Sequence, residues 1–243
     1  MARLARAKSE SGIYHVIVRG INRQNIFQDE EDECEYLNRL TQYKKECGIE
    51  LYAYCLMSNH VHLLLKERDT VIGELMKKLG VSYSYRFNRK YDRSGHLFQD
   101  RYKSETVDDD SYFLTVLRYI HRNPQKAGLL PFIRTSYFDY AEQKGITDTA
   151  FPISLFSSRG ELLEYLNVDD SKKCMELEEG SRISDRRALE LICQIGKVNH
   201  SQELQNISGE NRNQILRELK LASLSIRQIE RLSGINRGIV SRS

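Results

Sequence analysis

The sequence predicts an α+β fold: a ferredoxin-like, split βαβ antiparallel sheet with helices on one face, followed by a small all-helical helix-turn-helix domain. Three observations support this class. The first 140 residues follow the order β-α-β-β-α-β-α, the pattern from residue 185 onward is only helical, and residues 166–184 between them are polar and acidic. We therefore expect one domain over residues 1–160, a linker or capping segment over 161–184, and a second domain over 185–243.

The elements follow from local patterns. The first strand is predicted over residues 13–20 (IYHVIVRG), which alternate and are rich in β-branched side chains. An acidic cluster, apolar residues at helical spacing and a final glycine predict a helix over 29–48. Residues 49–57 and 60–66 are strand-like and are separated only by Ser58-Asn59, which indicates a hairpin. In a split βαβ sheet, the first and third strands lie side by side.

The rest of this domain repeats the alternation. Residues 71–91 have a helical pattern, 95–107 an extended one, and 110–123 a helical one that Pro124 is expected to stop. After Tyr140 the pattern loosens.

Composition excludes several classes of protein. With 243 residues, 40% hydrophobic and 29% charged, the chain can bury a core, which excludes disorder throughout. No stretch approaches the roughly 18 apolar residues of a membrane span, and the N-terminus has no apolar targeting run. We expect a cytoplasmic protein without a membrane partner. The five cysteines form no CxxC pair, which argues against a disulfide framework or a zinc knuckle.

The net charge of +3 is unevenly distributed. Residues 181–243 hold eleven Lys and Arg against six Asp and Glu, whereas residues 1–180 hold 26 against 28. A basic C-terminal part beside a near-neutral one suggests a module that binds a polyanion. A solvated helical surface that is basic by chance is the alternative.

The end of this basic part, LSIRQIERLSGINRGIV, has the pattern of a helix-turn-helix. Ser225 can cap one helix, Ser233-Gly234 can form the turn, and Asn236 can cap a second helix. We expect this domain to bind duplex DNA, with Arg227 and Arg237 as candidate contacts. A structural helical hairpin is the alternative.

The segment SNHVHLLLK gives the strongest indication of a functional site in the sequence. Residues two apart on a strand point to the same face, about 6 to 7 Å apart, so His60 and His62 can reach one metal ion. Val61 and Leu63 then enter the core. A surface pair of histidines without a ligand is the alternative.

The helix before Pro124 can complete this site. Tyr119 and Asn123 are four residues apart and share a helical face, where an amide oxygen could ligate the ion that the tyrosine's substrate also touches. A packing role for Tyr119 is the alternative. His121 points elsewhere, and Tyr112, seven residues earlier on nearly the same face, is a rival nucleophile.

Four segments, MSNHVHLLL, GHLFQDRYKS, YIHRNPQKAGL and TSYFDY, resemble the single-tyrosine HUH transposases, especially their REP-associated tyrosine transposase branch. The resemblance covers about residues 11–156. It implies that His60 and His62 bind a divalent ion, Mg²⁺ or Mn²⁺, and that Tyr119 is the nucleophile. Asn123 stands where relatives with a fuller mobile-element lifestyle have glutamine, and it is the implied third ligand.

The implied activity is metal-dependent cleavage and rejoining of single-stranded or hairpin DNA through a 5′-phosphotyrosine intermediate, by a monomer or a homodimer. Residues 83–103 suit such a substrate, because aromatic side chains interleave with six basic residues against two acidic ones. An amphipathic helix with inward aromatics is the alternative. The candidate DNA contacts are Arg86, Arg89, Arg101, Lys103, and His15 and Arg19 of the first strand.

Two other function classes remain open. One is a DNA-binding regulator that keeps the fold but does not cut; the complete set of His60, His62, Tyr119 and Asn123 argues against it. The other is an RNA-binding or processing protein, because ferredoxin-like sheets commonly present single-stranded RNA to their open face. A preference for a DNA hairpin over the same RNA hairpin would exclude it.

Overall fold

One antiparallel sheet forms the centre of the first part of the chain. The computed structural model describes residues 7–130, 132–168, 174–175, 185–207, 209–222 and 224–243, and the chain divides into two units, Met1–Glu176 and Leu177–Ser243. The strands are β1 (Ile13–Arg19), β2 (Glu50–Met57), β3 (His60–Lys66) and β4 (Lys103–Thr106). Their order in the sheet is β2-β3-β1-β4. The predicted α+β class with an antiparallel sheet is confirmed.

Strand β1 lies beside β3, as the split βαβ order predicts. Ile17 pairs with His62 in antiparallel register, and β4 pairs with the other edge of β1. Strands β2 and β3 form the predicted hairpin, in which Met57 pairs with His60 across a two-residue turn. His62 on β3 therefore lies between β1 and β2, with Ile17 and Cys55 as its paired residues.

Helices α1 (Glu30–Cys47) and α2 (Ile72–Lys90) cover one face of the sheet. Asp29 caps α1 by accepting a hydrogen bond from the Asp32 N–H (3.0 Å), and Gly48 ends it with a φ of 61°, in the left-handed region. The core on this face includes Tyr36, Leu40, Leu75 and Leu79 of the helices and Val16, Val61, Leu63 and Leu65 of the strands.

Helix α3 (Asp110–Lys126) covers the opposite face, so the prediction of helices on one face only is wrong. Its Val116 and Ile120 are fully buried in one core with Cys55 and Leu64 of the sheet. The reason lies in β2 and β3 (ELYAYCLM and HVHLLLK), which carry apolar side chains at odd and even positions alike. A strand that is apolar on both faces needs cover on both.

Helix α3 also continues three residues beyond its predicted end. Pro124 cannot donate a backbone hydrogen bond. Its carbonyl nevertheless accepts from the N–H groups of Ala127 (3.1 Å) and Leu129 (2.9 Å), which closes the last turn. The helix therefore still includes Lys126.

The predicted boundary at residue 160 falls inside a helix. Helices α4 (Tyr137–Glu142), α5 (Ala150–Ser154) and α6 (Arg159–Asn167) follow α3. Leu162 and Leu166 of α6 are fully buried in the same core as α3. Residues 161–167 are thus part of the first unit and not a linker, while most of the remaining predicted linker lies outside the described residues.

The second unit is helical over its described residues and has its own core. It contains α7 (Asp185–Gly196), a 3₁₀ helix (Ser201–Asn206), α8 (Gly209–Leu221), α9 (Ile226–Ser233) and α10 (Arg237–Arg242). The core includes Ile192, Leu204, Leu216, Leu219, Ile229 and Val240. Across the described ranges, no helix combines the length and apolar character that a membrane crossing requires. All five cysteines are free.

Candidate active site

Two histidines of β3 lie on the face of the sheet that α3 covers. The ring centroids of His60 and His62 are 5.0 Å apart, and the ring planes cross at 73°. Val61 and Leu63 are fully buried in the core on the other face. The alternation of the strand thus brings two imidazoles together, as a pair of metal ligands requires.

A neighbouring side chain holds the Nδ1 atom of each ring. His60 Nδ1 is 2.6 Å from Asn59 Oδ1, and His62 Nδ1 is 3.0 Å from His15 Nε2. Nε2 of each ring is then the atom that can face a ligand. Protein metal sites use this geometry, in which a partner on one ring nitrogen orients the other nitrogen toward the ion.

Both rings are neutral near pH 7. Burial lowers the pKa of His60 to about 4, and the positive charge of Arg19 contributes to that shift. Burial also lowers the pKa of His62 well below its ordinary value. A neutral imidazole has the lone pair that metal ligation needs.

Tyr119 of α3 packs against His62 and against His15 of β1. Its ring centroid is 5.7 Å from that of His62 and 6.0 Å from that of His15, and the side chain is only 6% exposed. Lys126, on the same helix, places Nζ 4.5 Å from the centroid of the Tyr119 ring. Asn123, one helical turn from Tyr119, is also buried.

The other two tyrosines considered from the sequence lie in different surroundings. Tyr112 hydrogen-bonds to Glu105, and burial together with this bond raises the pKa of the phenol. Tyr102 packs with the core on the opposite face of the sheet, near Gly73 of α2. Of these three tyrosines, Tyr119 is the one whose ring packs against His62 and His15.

The available donors fit a divalent cation with nitrogen and oxygen ligands. Among the described residues, no three His, Cys, Asp or Glu side chains are grouped to hold a metal ion. The amide oxygen of Asn123 on α3 is the oxygen donor predicted from the sequence to join the two imidazoles. Two imidazoles and an amide suit Mg²⁺ or Mn²⁺, and the nitrogen ligands favour Mn²⁺.

The predicted DNA contacts of residues 83–103 divide into exposed and paired side chains. Arg89, Arg101 and Lys103 are exposed. Arg86 forms an ion pair with Glu31 of α1. The first three can contact a DNA backbone directly, whereas Arg86 must first give up its carboxylate partner.

The two predicted contacts in β1 lie at the site itself. Arg19 pairs with His60 across the strands. His15 is fully buried, and both of its ring nitrogens form hydrogen bonds, Nδ1 with Glu105 and Nε2 with His62. His15 is therefore inaccessible to a DNA strand in this structure, contrary to the expectation. Strand alternation gives the face on which a residue lies, and here α3 covers that face.

His121 lies apart from these residues, as expected. Its Nε2 is 2.8 Å from Ser136 Oγ, and its ring packs edge-on against Tyr140. Burial lowers the pKa of His121 to about 3. The residue is a neutral part of the core.

The second unit has the local geometry expected at its C-terminal end. Ser225 and Asn236 cap α9 and α10 by accepting backbone N–H groups at 3.2 and 2.8 Å. Gly234 ends α9 with a φ of 75°. Arg227 and Arg237 are exposed. Their binding of DNA stays a prediction.

Two neighbours of the site escaped the sequence-based prediction. Glu105 lies on the same face of β4 as Lys103, but a four-residue edge strand gives a weak alternation signal. Lys126 follows Tyr119 by seven residues, which is two helical turns, and this spacing places both side chains on one face of a continuous helix. Because Pro124 was expected to end the helix, the sequence did not predict that Lys126 lies near Tyr119.

Comparisons with known proteins give a family and two distant structures. Residues 8–123 match the model of the family described as "Transposase IS200 like". A REP-associated tyrosine transposase bound to a REP hairpin is 14% identical, with 62% of this chain and 96% of that chain covered and a TM-score of 0.48. A candidate transposase from Deinococcus radiodurans is 24% identical, with coverages of 49% and 95% and a TM-score of 0.36. No curated protein matches significantly.

Proposed function

Because residues 8–123 of the chain belong to the IS200-like transposase family, we propose that it cuts and rejoins single-stranded or hairpin DNA, in a metal-dependent reaction through a 5′-phosphotyrosine at Tyr119. The observation that carries this proposal is the 5.7 Å separation between the rings of Tyr119 and His62. It brings a nucleophile and a pair of candidate metal ligands to one phosphate.

The residues proposed to hold the cation, Mg²⁺ or Mn²⁺, are His60 and His62 through Nε2 and Asn123 through its amide oxygen. When bound, such an ion polarises a phosphate oxygen and neutralises the charge that develops at phosphorus. Arg19, which pairs with His60 across the sheet, is suited to hold another phosphate oxygen.

The proposed step conserves the energy of the bond that it breaks. The Tyr119 oxygen bonds to phosphorus as the P–O3′ bond breaks; the phenol loses its proton and the 3′ oxygen gains one. Attack by another 3′-hydroxyl then restores a phosphodiester and the tyrosine, so ATP is not needed. The ammonium of Lys126, 4.5 Å from the ring centroid, favours the negative phenolate oxygen.

The burial of Tyr119 favours a single strand or a hairpin over relaxed duplex. Tyr119 is only 6% exposed, on a helix that packs against the sheet, so a phosphate must approach closely to meet its hydroxyl. A phosphodiester within a regular duplex is poorly placed to do so. The exposed cations Arg89, Arg101 and Lys103 can neutralise the backbone of the entering strand.

We assign duplex DNA to the second unit. Its residues 181–243 carry the excess of basic residues, and Arg227 and Arg237 are exposed on two short capped helices. This arrangement suits recognition of a target or partner sequence.

The experiment is incubation with Mn²⁺ and labelled single-stranded hairpins taken from the DNA that flanks the gene. The unaltered chain is expected to form a covalent protein–DNA adduct. Tyr119→Phe removes only the hydroxyl, so it should bind the hairpin without forming the adduct. Tyr102→Phe, on the other face of the sheet, is the matched control and should form the adduct normally.

Each alternative has its own outcome. An adduct that mass spectrometry maps to another tyrosine would contradict the assignment of Tyr119. Hairpin binding without any adduct would indicate the non-cutting regulator. Preference for the same hairpin made of RNA would indicate an RNA-binding or processing protein.

A further inference from the structure

A chain of hydrogen bonds leads from the edge strand β4 to His62. Glu105 Oε1 is 2.7 Å from His15 Nδ1, and His15 Nε2 is 3.0 Å from His62 Nδ1. The two imidazoles stack, with centroids 5.2 Å apart and planes 21° from parallel. His15 is fully buried and His62 nearly so. The three residues come from the adjacent strands β4, β1 and β3.

The carboxylate that begins this chain is ionised. Glu105 also accepts hydrogen bonds from the Met175 N–H (3.1 Å) and from the Tyr112 side chain. Burial by itself raises the pKa of Glu105, but the bonds from His15, Tyr112 and Met175 outweigh burial and lower the pKa below its ordinary value. An ionised carboxylate only accepts hydrogen bonds.

An acceptor at Glu105 fixes the first bond, so His15 presents Nδ1–H to Glu105. A His62 ring that ligates an ion through Nε2 carries its proton on Nδ1, which lies 3.0 Å from His15 Nε2. His15 Nε2 is then the acceptor for that proton.

We propose that Glu105 and His15 are positioning residues that hold His62 as its Nδ1–H tautomer and so direct the Nε2 lone pair toward the metal ion. This inference rests on the proposed function, because it gives both residues a role in the metal site. His60 has a shorter version of the same arrangement. Its Nδ1 faces the acceptor Asn59 Oδ1 at 2.6 Å, so both histidines offer Nε2.

Three substitutions in the full-length chain separate positioning from simple filling of the core. His15→Leu keeps an apolar side chain of similar size but removes the acceptor for His62. His15→Gln keeps an amide oxygen that can reach the position of His15 Nε2 and accept the same bond. His121→Leu is the matched control, because it removes another fully buried imidazole that hydrogen-bonds outside the site.

Two measurements follow the tautomer and the metal separately. Long-range ¹⁵N–¹H spectra of histidine-labelled, metal-free protein identify the protonated ring nitrogen. We expect Nδ1–H at His62 in the unaltered chain and in His15→Gln, and a shift toward Nε2–H in His15→Leu. Titration with Mn²⁺ alone should show binding weakened about 10- to 100-fold in His15→Leu, rescued in part by His15→Gln, and unchanged in His121→Leu.

The inference is overturned if His62 of the unaltered chain carries its proton on Nε2, or if a folded His15→Leu binds Mn²⁺ as tightly as the unaltered chain. Should His15→Leu not fold, the tautomer of the unaltered chain and the behaviour of His15→Gln decide the question. The spectra need neither metal nor DNA. An Nδ1–H tautomer in a protein that forms no adduct would therefore contradict the proposed reaction and leave the positioning of His62 standing.

Discussion

At the scale of single residues, the proposed reaction depends on the two neutral imidazoles of β3, His60 and His62, which are proposed to hold the metal ion. We predict that His60→Ala and His62→Ala each abolish Mn²⁺-dependent adduct formation, because each removes a proposed metal ligand. The loss of Mn²⁺ affinity should exceed the roughly 10- to 100-fold that typically follows loss of a group supporting a ligand. His200→Ala, an exposed histidine of the second unit, is the control. Adduct formation at the normal rate in both site variants would remove the metal from the mechanism.

The same titration, repeated as a function of pH, tests the state of the rings. The pKa of His60 is about 4 instead of its ordinary value near 6.5, because the ring is buried and Arg19 is close. Protons compete with the metal only as the pH approaches the folded-state pKa. Mn²⁺ affinity should therefore hold as the pH falls through about 6.5 and be lost nearer to about 4. Loss that begins at about 6.5 would indicate exposed, ordinary histidines.

Local spacing explains which site residues could be predicted from the sequence. His60 and His62 are two apart on a strand, and Tyr119 and Asn123 are four apart on a helix, so one element alone determines each pair. The bond between His15 and Glu105 joins residues 90 positions apart and depends on the pairing of β1 with β4. The spacing of residues within a single segment cannot predict which residue of β4 lies opposite His15.

At the scale of elements, some basic side chains of helix α2 form ion pairs with α1, whereas others are exposed to solvent. Arg86 pairs with Glu31, and Lys90 forms ion pairs with three carboxylates at the beginning of α1. Arg89, between them in the sequence, is exposed. The basic composition of residues 83–103 therefore overstates the charge that is available to DNA.

This division predicts different effects for two arginines of one helix. Arg89→Ala should weaken hairpin binding and reduce the slope of log affinity against log salt by about 0.7, the value of one contact to a single-stranded phosphate. Arg86→Ala is the matched control and should lower thermal stability slightly while leaving the slope unchanged. Fluorescence anisotropy across a series of salt concentrations measures both. Equal loss of slope would mean that the pair between Arg86 and Glu31 opens to DNA.

The order of elements was predictable, but their layering was not. Each strand and helix follows from its own periodicity, and the order β-α-β-β-α-β-α is the one observed up to α3. The side of the sheet on which a helix packs depends on contacts that are distant in sequence. The apolar character of both faces of β2 and β3 was the signal that α3 would cover the second face.

At the scale of the whole molecule, the two units separate the proposed strand cleavage from the proposed duplex recognition. The candidate catalytic and metal-ligating residues all belong to the first unit, whereas Arg227 and Arg237 belong to the second. Each unit has a hydrophobic core of its own. Removal of the second unit should therefore leave the first with its core and its candidate active site.

Two truncations test this division, because the structure and the composition give different boundaries. A chain that ends at Glu176 keeps α6 and also Met175, whose N–H bonds to Glu105. It should form the hairpin adduct at about the normal rate and lose affinity for duplex DNA. A chain that ends at residue 160 loses Leu162 and Leu166, which are fully buried. At about 1.5 to 3 kcal/mol for each buried leucine, that loss rivals the whole stability of many domains, so this chain should melt far earlier or fail to fold.

Adduct yield, thermal melting by circular dichroism and duplex binding at several salt concentrations separate these expectations. Arg237→Ala in the full-length chain is the control, because it removes only one exposed charge of the second unit and leaves the hydrophobic packing of each unit in place. It should weaken duplex binding and reduce its salt dependence by about 0.9 in the same log–log slope, with hairpin cleavage unaffected. If the chain ending at Glu176 bound duplex DNA as tightly as the full-length chain, duplex recognition would belong to the first unit, and the capped helices α9 and α10 would have a structural role only.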